Sequence, residues 1–73
     1  MSNKKRTIYP KIREVLFERE EDQKDLAKLI GVTESELSLK LHGKRKFHLE
    51  EIKTMCSYYG KDINELFFVE KRE

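Results

Sequence analysis

The sequence predicts an all-α fold, a compact bundle of five short helices, and three observations support this class. Apolar residues recur at spacings of three and four, the period of a helix, and no segment alternates apolar and polar residues for long. Polar residues that can cap a helix precede most of the apolar segments. The three glycines and the single proline fall at segment boundaries. The 73 residues are enough for one domain with a single core.

The first two helices are marked by the residues at their ends. Pro10 suits a first helical turn, where the N–H that proline lacks would have no partner, and the spacing predicts a helix over residues 10–19. Asp22 can cap the second helix, with Asp25 as its partner three positions later. Gly31 is expected to end this helix, because glycine readily adopts the left-handed backbone conformation found there.

The other three helices each begin with a capping residue followed three positions later by glutamate, the pattern of a capping box. These pairs are Thr33 with Glu36, His48 with Glu51, and Asp62 with Glu65. A hydrophobic staple between Phe47 and Ile52 is also expected at the start of the fourth helix. Such short helices are not stable singly, so mutual packing must hold them together.

Composition argues against several classes of protein. Cys56 is the only cysteine and lies in an apolar helical pattern, so we expect a buried thiol and no internal disulfide. His42 and His48 with Cys56 fall short of the four ligands of a structural zinc site, and no nucleophile lies beside a base. We therefore expect no enzyme, no metal, no cofactor and no small-molecule ligand. The apolar runs are too short to span a bilayer, which predicts a cytoplasmic protein without membrane contact.

The net charge of +2 is unevenly distributed along the chain. Residues 23–48 carry six basic and three acidic side chains, whereas residues 49–73 carry four basic and six acidic ones. A surface that faces nucleic acid would have to lie in the basic middle segment.

The segment QKDLAKLIGVTESELSLKL, residues 23–41, has the pattern of two short helices packed at a large angle. Ala27 permits their close approach, Gly31 permits a sharp turn, and Val32 fills the corner. The apolar residues that hold the pair together are Leu26, Leu37 and Leu41. One face of the second helix is thereby free to enter a DNA major groove about 12 Å wide.

Extended to QKDLAKLIGVTESELSLKLHGKRKF, this segment resembles the lambda-repressor-like, Cro-type helix-turn-helix family of phage and bacterial regulators. The shared pieces are QKDLA, GVT and GKR at the family's spacings, together with the five-helix plan and the closing INELF. The resemblance covers roughly residues 8–69. The chain then divides into a flexible basic arm over residues 1–7, the folded domain over 8–69 and a tail over 70–73.

The resemblance implies a set of DNA-binding residues at the start of the second helix, on the third helix and in the loop after it. The expected residues are Gln23, Thr33, Glu34, Ser35, Ser38, Leu39, Lys40, His42, Lys44, Arg45 and Lys46. Helical spacing independently places Glu34, Ser35, Ser38, Leu39 and His42 on one side of the third helix, away from its apolar side. For the glutamine, the two serines and the basic loop, the alternative is an ordinary solvated surface.

The chain departs from the family pattern at two places. Glu20 and Glu21 occupy a turn where the family often has a glycine followed by an apolar residue, and Phe17 is expected to support this turn by packing. On the third helix, Glu34 would repel phosphate unless it accepts a hydrogen bond from a cytosine amine. Leu39 is placed to contact a thymine methyl group.

The resemblance predicts a sequence-specific regulator of transcription, a repressor or Cro-like protein of phage or mobile-element type, bound to a double-stranded DNA operator and thus associated with the nucleoid. One such domain covers only part of a site, so a homodimer is expected, at least on DNA. Its surface is expected at the fifth helix and residues 67–69. The alternative is a protein-binding module of the same fold, such as an antitoxin or adaptor, whose affinity for duplex DNA would not depend steeply on salt.

Overall fold

The structure, a computed structural model, describes residues 7–69, which form five α-helices and no β-strand within that range. The helices are α1 (Pro10–Glu18), α2 (Gln23–Ile30), α3 (Glu34–Leu41), α4 (Leu49–Tyr59) and α5 (Ile63–Leu66). The predicted all-α bundle of five helices is confirmed. Residues 1–6 of the expected arm and the expected tail over 70–73 lie outside the described residues.

One apolar core holds the five helices together. Its side chains, each at most 8% exposed, are Ile12, Val15, Leu16, Leu26, Ala27, Leu37, Leu41, Met55, Tyr59 and Leu66. Burying one large apolar side chain contributes about 1.5–3 kcal/mol, more than a turn of isolated helix provides. Every helix supplies at least one core residue, so packing rather than helix propensity determines the fold.

Hydrogen bonds confirm the predicted caps of α2 and α5. The Asp22 carboxylate accepts from the Asp25 N–H at 3.1 Å, and the Asp25 carboxylate accepts from the Asp22 N–H at 2.9 Å. At α5, the Glu65 carboxylate accepts from the Asp62 N–H at 3.0 Å, while Asp62 accepts from the Asn64 N–H at 2.9 Å. Each cap pairs helix N–H groups that have no partner within the helix.

The capping box predicted for α3 forms only in part. The Thr33 hydroxyl accepts from the Glu36 N–H at 3.1 Å, as expected. The Glu36 carboxylate, however, accepts from the guanidinium of Arg45 at 3.1 Å instead of returning the bond to Thr33. A cationic donor competes well with a neutral N–H for a carboxylate, because a charge-assisted hydrogen bond is the stronger of the two.

The turn between α1 and α2 is built on a left-handed residue. Glu20 has a φ of 57°, and its N–H donates to the Phe17 carbonyl at 3.1 Å. The Glu21 N–H donates to the Leu16 carbonyl at 2.9 Å, which closes α1 in the manner of a Schellman motif. The expectation that Phe17 supports this turn by packing is wrong, because its side chain is 83% exposed. Backbone hydrogen bonds hold the turn instead.

Replacing Glu20 with glycine is expected to raise the free energy of unfolding by about 0.5–1 kcal/mol. The left-handed conformation costs a residue with a Cβ about 1–2 kcal/mol, and the greater freedom of glycine in the unfolded chain offsets part of the gain. Urea unfolding followed by circular dichroism measures the difference. Glu20→Ala is the matched control, since it removes the charge and keeps the Cβ. An equal gain in both variants would contradict the role of the backbone conformation.

The segment before α1 is attached to the end of α3. The Thr7 hydroxyl and the Ile8 N–H donate to the Leu41 carbonyl at 2.8 and 3.0 Å. Gly43 has a φ of 80°, and a Cβ at this position would lie 2.8 Å from the Ile8 side chain. Thr7, which the sequence assigned to the arm, is therefore part of the folded domain. The hydrogen bond from Thr7 to Leu41 and the close approach of Gly43 to Ile8 fix the position of the chain that leaves α3.

Three aromatic rings join the start of α1, the start of α4 and the end of α5. Phe47 packs edge-to-face against Tyr9 and Phe67, with centroid distances of 5.6 and 5.2 Å, and Tyr9 lies 5.7 Å from Phe67. Such pairs contribute about 0.5–1.5 kcal/mol each beyond the area they bury. The loop that follows α3 is thus anchored at Phe47.

Candidate nucleic-acid interface

The turn between α2 and α3 sets the direction of α3. Gly31 adopts a φ of 73°, and the N–H groups of Gly31 and Val32 donate to carbonyls near the end of α2, at 3.3 and 3.0 Å. Beneath the turn, Leu26 and Leu37 are completely buried. This is the predicted helix-turn-helix arrangement, in which α3 packs on the core along one side and leaves its other side to solvent.

The exposed side of α3 carries most of the residues that the sequence selected. Glu34, Ser35 and Leu39 are exposed and Ser38 is half-buried, while Leu37 and Leu41 face the core. The expected residues at the two helix starts are also exposed, namely Gln23 on α2 and Thr33 before α3. The structure therefore brings the predicted α3 residues together on one face.

Lys40 does not belong to this face. Its side chain is only 1% exposed, and its ammonium donates to the Glu51 carboxylate at 2.9 Å and to the Lys46 carbonyl at 3.3 Å. The ammonium also lies 5.8 Å from the centre of the Phe47 ring. The expectation that Lys40 contacts DNA is wrong, because its charge is turned inward and already paired. Its place three residues after Leu37, on the apolar side, was the signal in the sequence.

Glu51 connects three parts of the site. One carboxylate oxygen accepts from both the Lys40 ammonium and the His48 N–H, at 2.9 and 3.0 Å. Burial of the Glu51 carboxyl acts to raise its pKa, but these two hydrogen bonds and the positive charge of Lys40 together hold the pKa below the ordinary value of 4.5. The carboxylate is thus charged at neutral pH and ties α3 to the start of α4.

His42 differs from its expected role on the surface. Its Nδ1 lies 2.8 Å from the Ser38 carbonyl and must donate to it, since a carbonyl oxygen can only accept. Nε2 is buried and has no hydrogen-bond partner among the described residues. The ring therefore caps the end of α3 and offers neither nitrogen to DNA in this conformation, which corrects the expected contact.

The loop after α3 carries three exposed basic side chains, Lys44, Arg45 and Lys46. The N–H groups of Lys44 and Arg45 donate to the Leu39 carbonyl at 2.9 and 3.2 Å, which fixes the start of the loop against α3. The Lys46 carbonyl is held by Lys40. The structure thus holds the backbone of this loop against the end of α3, and the Arg45 side chain reaches Glu36 on α3. The sequence assigned Glu36 and Glu51 only to capping boxes and missed their ion pairs, Glu36 with Arg45 and Glu51 with Lys40.

Residues 7–69 include no group of three or more histidine, cysteine, aspartate or glutamate side chains arranged to hold a metal ion. Cys56 is half-buried, and burial, with a smaller effect of Asp62, raises the pKa of its thiol. A protonated thiol is a poor nucleophile. Over the same residues, no helix is long and apolar enough to cross a membrane.

The family model of the Cro/C1-type HTH DNA-binding domain matches residues 11–71. The chain belongs to this family. Comparisons with curated proteins and with solved structures give no significant match. In this Cro/C1-type domain α2 and α3 are the helix-turn-helix pair, and the exposed side of α3 with the loop 44–46 is its candidate DNA-binding surface. A phage or mobile-element origin stays a prediction.

Proposed function

We propose that this protein is a sequence-specific regulator of transcription, a repressor or Cro-like protein, whose α3 enters the major groove of an operator. The observation that carries the proposal is the exposed side of α3 with three basic side chains directly after it, in a Cro/C1-type domain. An α-helix with its side chains is about 10–12 Å across, which fits a major groove about 12 Å wide. We further propose that it acts in the cytoplasm, on the nucleoid or on mobile-element DNA.

The proposed contacts follow from the chemistry of each side chain. The Ser35 and Ser38 hydroxyls donate to or accept from base edges and donate to phosphates, and Gln23 donates to a phosphate from the start of α2. Glu34 accepts from a cytosine amine, and Leu39, which is 38% exposed, contacts a thymine methyl group. Sequence preference therefore resides in α3, whereas the basic loop supplies affinity for any duplex.

We propose that two copies bind a pseudo-palindromic operator, with half-sites roughly 34–36 Å apart. Three apolar side chains at α5 and the residues after it are available for the contact between copies, because Ile63, Phe68 and Val69 are 48%, 50% and 43% exposed. Phe67, which the sequence placed in the same surface, is half-buried among Tyr9 and Phe47.

Phe68→Glu is expected to weaken the proposed homodimer at least tenfold, because a carboxylate would be buried between two apolar surfaces without a partner. Sedimentation velocity with and without operator DNA measures the change. Phe17→Glu is the matched control, since Phe17 is 83% exposed near the end of α1, whereas the ring that contacts Phe67 is Tyr9 at the start of α1. Equal dissociation in both variants would contradict the location of the dimer surface.

The function is tested by selecting bound duplexes from a random pool and then measuring affinity for the selected duplex against salt. We expect a palindromic motif and an affinity that falls steeply, with a slope near −0.9 for each phosphate neutralised. An affinity for duplex DNA that is unchanged between about 50 and 200 mM salt would contradict the proposal.

One observation favours a second candidate, a protein-binding module such as an antitoxin or adaptor. Glu34 is exposed and forms no ion pair among the described residues, so it places a carboxylate at the start of α3 where a basic protein surface would be attracted and phosphate repelled. The same salt titration distinguishes the two functions, because only DNA binding requires the release of counterions from a duplex.

A further inference from the structure

Glu36 and Arg45 form an ion pair that joins the first turn of α3 to the basic loop. Arg45 Nη1 lies 3.1 Å from Glu36 Oε2, and the two side chains are 55% and 37% exposed. The pair therefore lies at the surface, in contact with water, and can open when a stronger partner for the guanidinium approaches.

The fold holds both members of the pair in place. Glu36 lies in α3, and its N–H is bonded to the Thr33 hydroxyl. The Arg45 N–H is bonded to the Leu39 carbonyl at 3.2 Å, so the loop cannot move away from the helix without breaking this bond. At about 3.6 residues per turn, Glu36 falls between the buried side of α3 and its exposed side at Ser35 and Leu39. The pair thus borders the candidate DNA-binding surface.

Arg45 differs electrostatically from its two neighbours in the loop. Among the described residues, an acidic side chain forms an ion pair with Arg45, whereas none does so with Lys44 or Lys46. At distances longer than the separation of the two charges, the negative charge of Glu36 cancels most of the electric field of Arg45. Of the three positive charges in the loop, two are therefore fully available to phosphates and the third is not.

We propose that Glu36 limits the sequence-independent part of DNA binding by neutralising Arg45. This inference rests on the proposed function. Non-specific affinity comes almost entirely from neutralised phosphates, and a guanidinium that must first leave a carboxylate contributes less to it. Sequence preference then depends more on the contacts of α3, because the loop alone binds arbitrary DNA less strongly.

A double-mutant cycle tests the inference with Glu36→Gln, Arg45→Gln and the double variant. Affinity for a short duplex of arbitrary sequence is measured by fluorescence anisotropy between about 50 and 200 mM salt. Glu36→Gln is expected to tighten binding and to steepen the slope by about 0.9, so the ratio of its affinity to that of the unmodified protein grows about 3.5-fold as salt falls across this range. In the Arg45→Gln background, Glu36→Gln is expected to leave the slope unchanged.

The control for overall charge is Glu50→Gln, which removes one exposed carboxylate from α4 and is expected to steepen the slope less than Glu36→Gln does. Circular dichroism establishes that each variant is folded. An equal effect of Glu36→Gln with and without Arg45 would overturn the inference, since Glu36 would then act on DNA directly. Weaker binding by Glu36→Gln would also overturn it. If the unmodified protein shows no salt dependence, the proposed function itself fails, and the inference with it.

Discussion

Replacing Lys40 with methionine is expected to lower the free energy of unfolding by about 3 kcal/mol. Methionine fills a similar volume, but it leaves the Glu51 carboxylate, whose side chain is 11% exposed, without its cationic partner. Removing one member of a buried ion pair typically costs about 3–5 kcal/mol of stability. We expect a loss at the lower end of this range because the His48 N–H still donates to the Glu51 carboxylate. Urea unfolding followed by circular dichroism measures the loss.

The matched control is the double variant Lys40→Met with Glu51→Gln. It removes both charges and keeps an amide oxygen that can accept from the His48 N–H, so its loss is expected to be smaller than that of Lys40→Met alone. A double variant as unstable as the sum of the two single variants would contradict a direct interaction between Lys40 and Glu51.

The pair also predicts how stability depends on pH. Because the pKa of Glu51 is lower in the folded state than its ordinary value of 4.5, its contribution to stability is fully present above that value. The contribution is lost as the pH falls through the lower, folded-state pKa. In Glu51→Gln this part of the acid sensitivity is expected to disappear, which urea unfolding at several pH values measures.

Replacing Lys44 and Lys46 with alanine is expected to weaken binding to every duplex and to flatten the slope of affinity against salt by about 2. Both side chains are exposed and neither forms an ion pair with an acidic residue among those described, so each is free to neutralise one phosphate. Fluorescence anisotropy with the selected duplex and an arbitrary one, across about 50 to 200 mM salt, measures both effects.

The control for these two lysines is Lys28→Ala with Lys53→Ala, which removes two exposed positive charges from α2 and α4. This variant is expected to change the slope much less, because screening limits the effect of charges that do not contact the duplex. A loss confined to one DNA sequence in the Lys44 and Lys46 variant would show that these side chains contact bases instead of phosphates.

Local signals account for what the sequence predicted well. A cap such as Asp22 with Asp25, and a helix end such as Gly31, depend on bonds within one turn of the chain. The apolar sides of α2 and α3 follow from helical spacing alone, and the structure confirms them at Leu26 and Leu37.

Distant partners account for what the sequence did not predict. Helical spacing placed Lys40 on the apolar side of α3, but it could not show the partners that make burial of the charge possible, Glu51 eleven residues later and the Lys46 carbonyl. Glu36 leaves its predicted capping box because Arg45, nine residues later, offers a stronger donor. In each case a charged side chain forms its hydrogen bond with a partner that only the tertiary structure brings near.

The attachment of the basic loop has a consequence for the entropy of DNA binding. At its start, the N–H groups of Lys44 and Arg45 donate to the Leu39 carbonyl. At its end, the Lys40 ammonium binds the Lys46 carbonyl, and two aromatic rings pack against Phe47. Ordering one backbone residue costs about 1–2 kcal/mol, and for this loop that cost is met when the domain folds. A duplex that meets the loop therefore has only the side chains left to order.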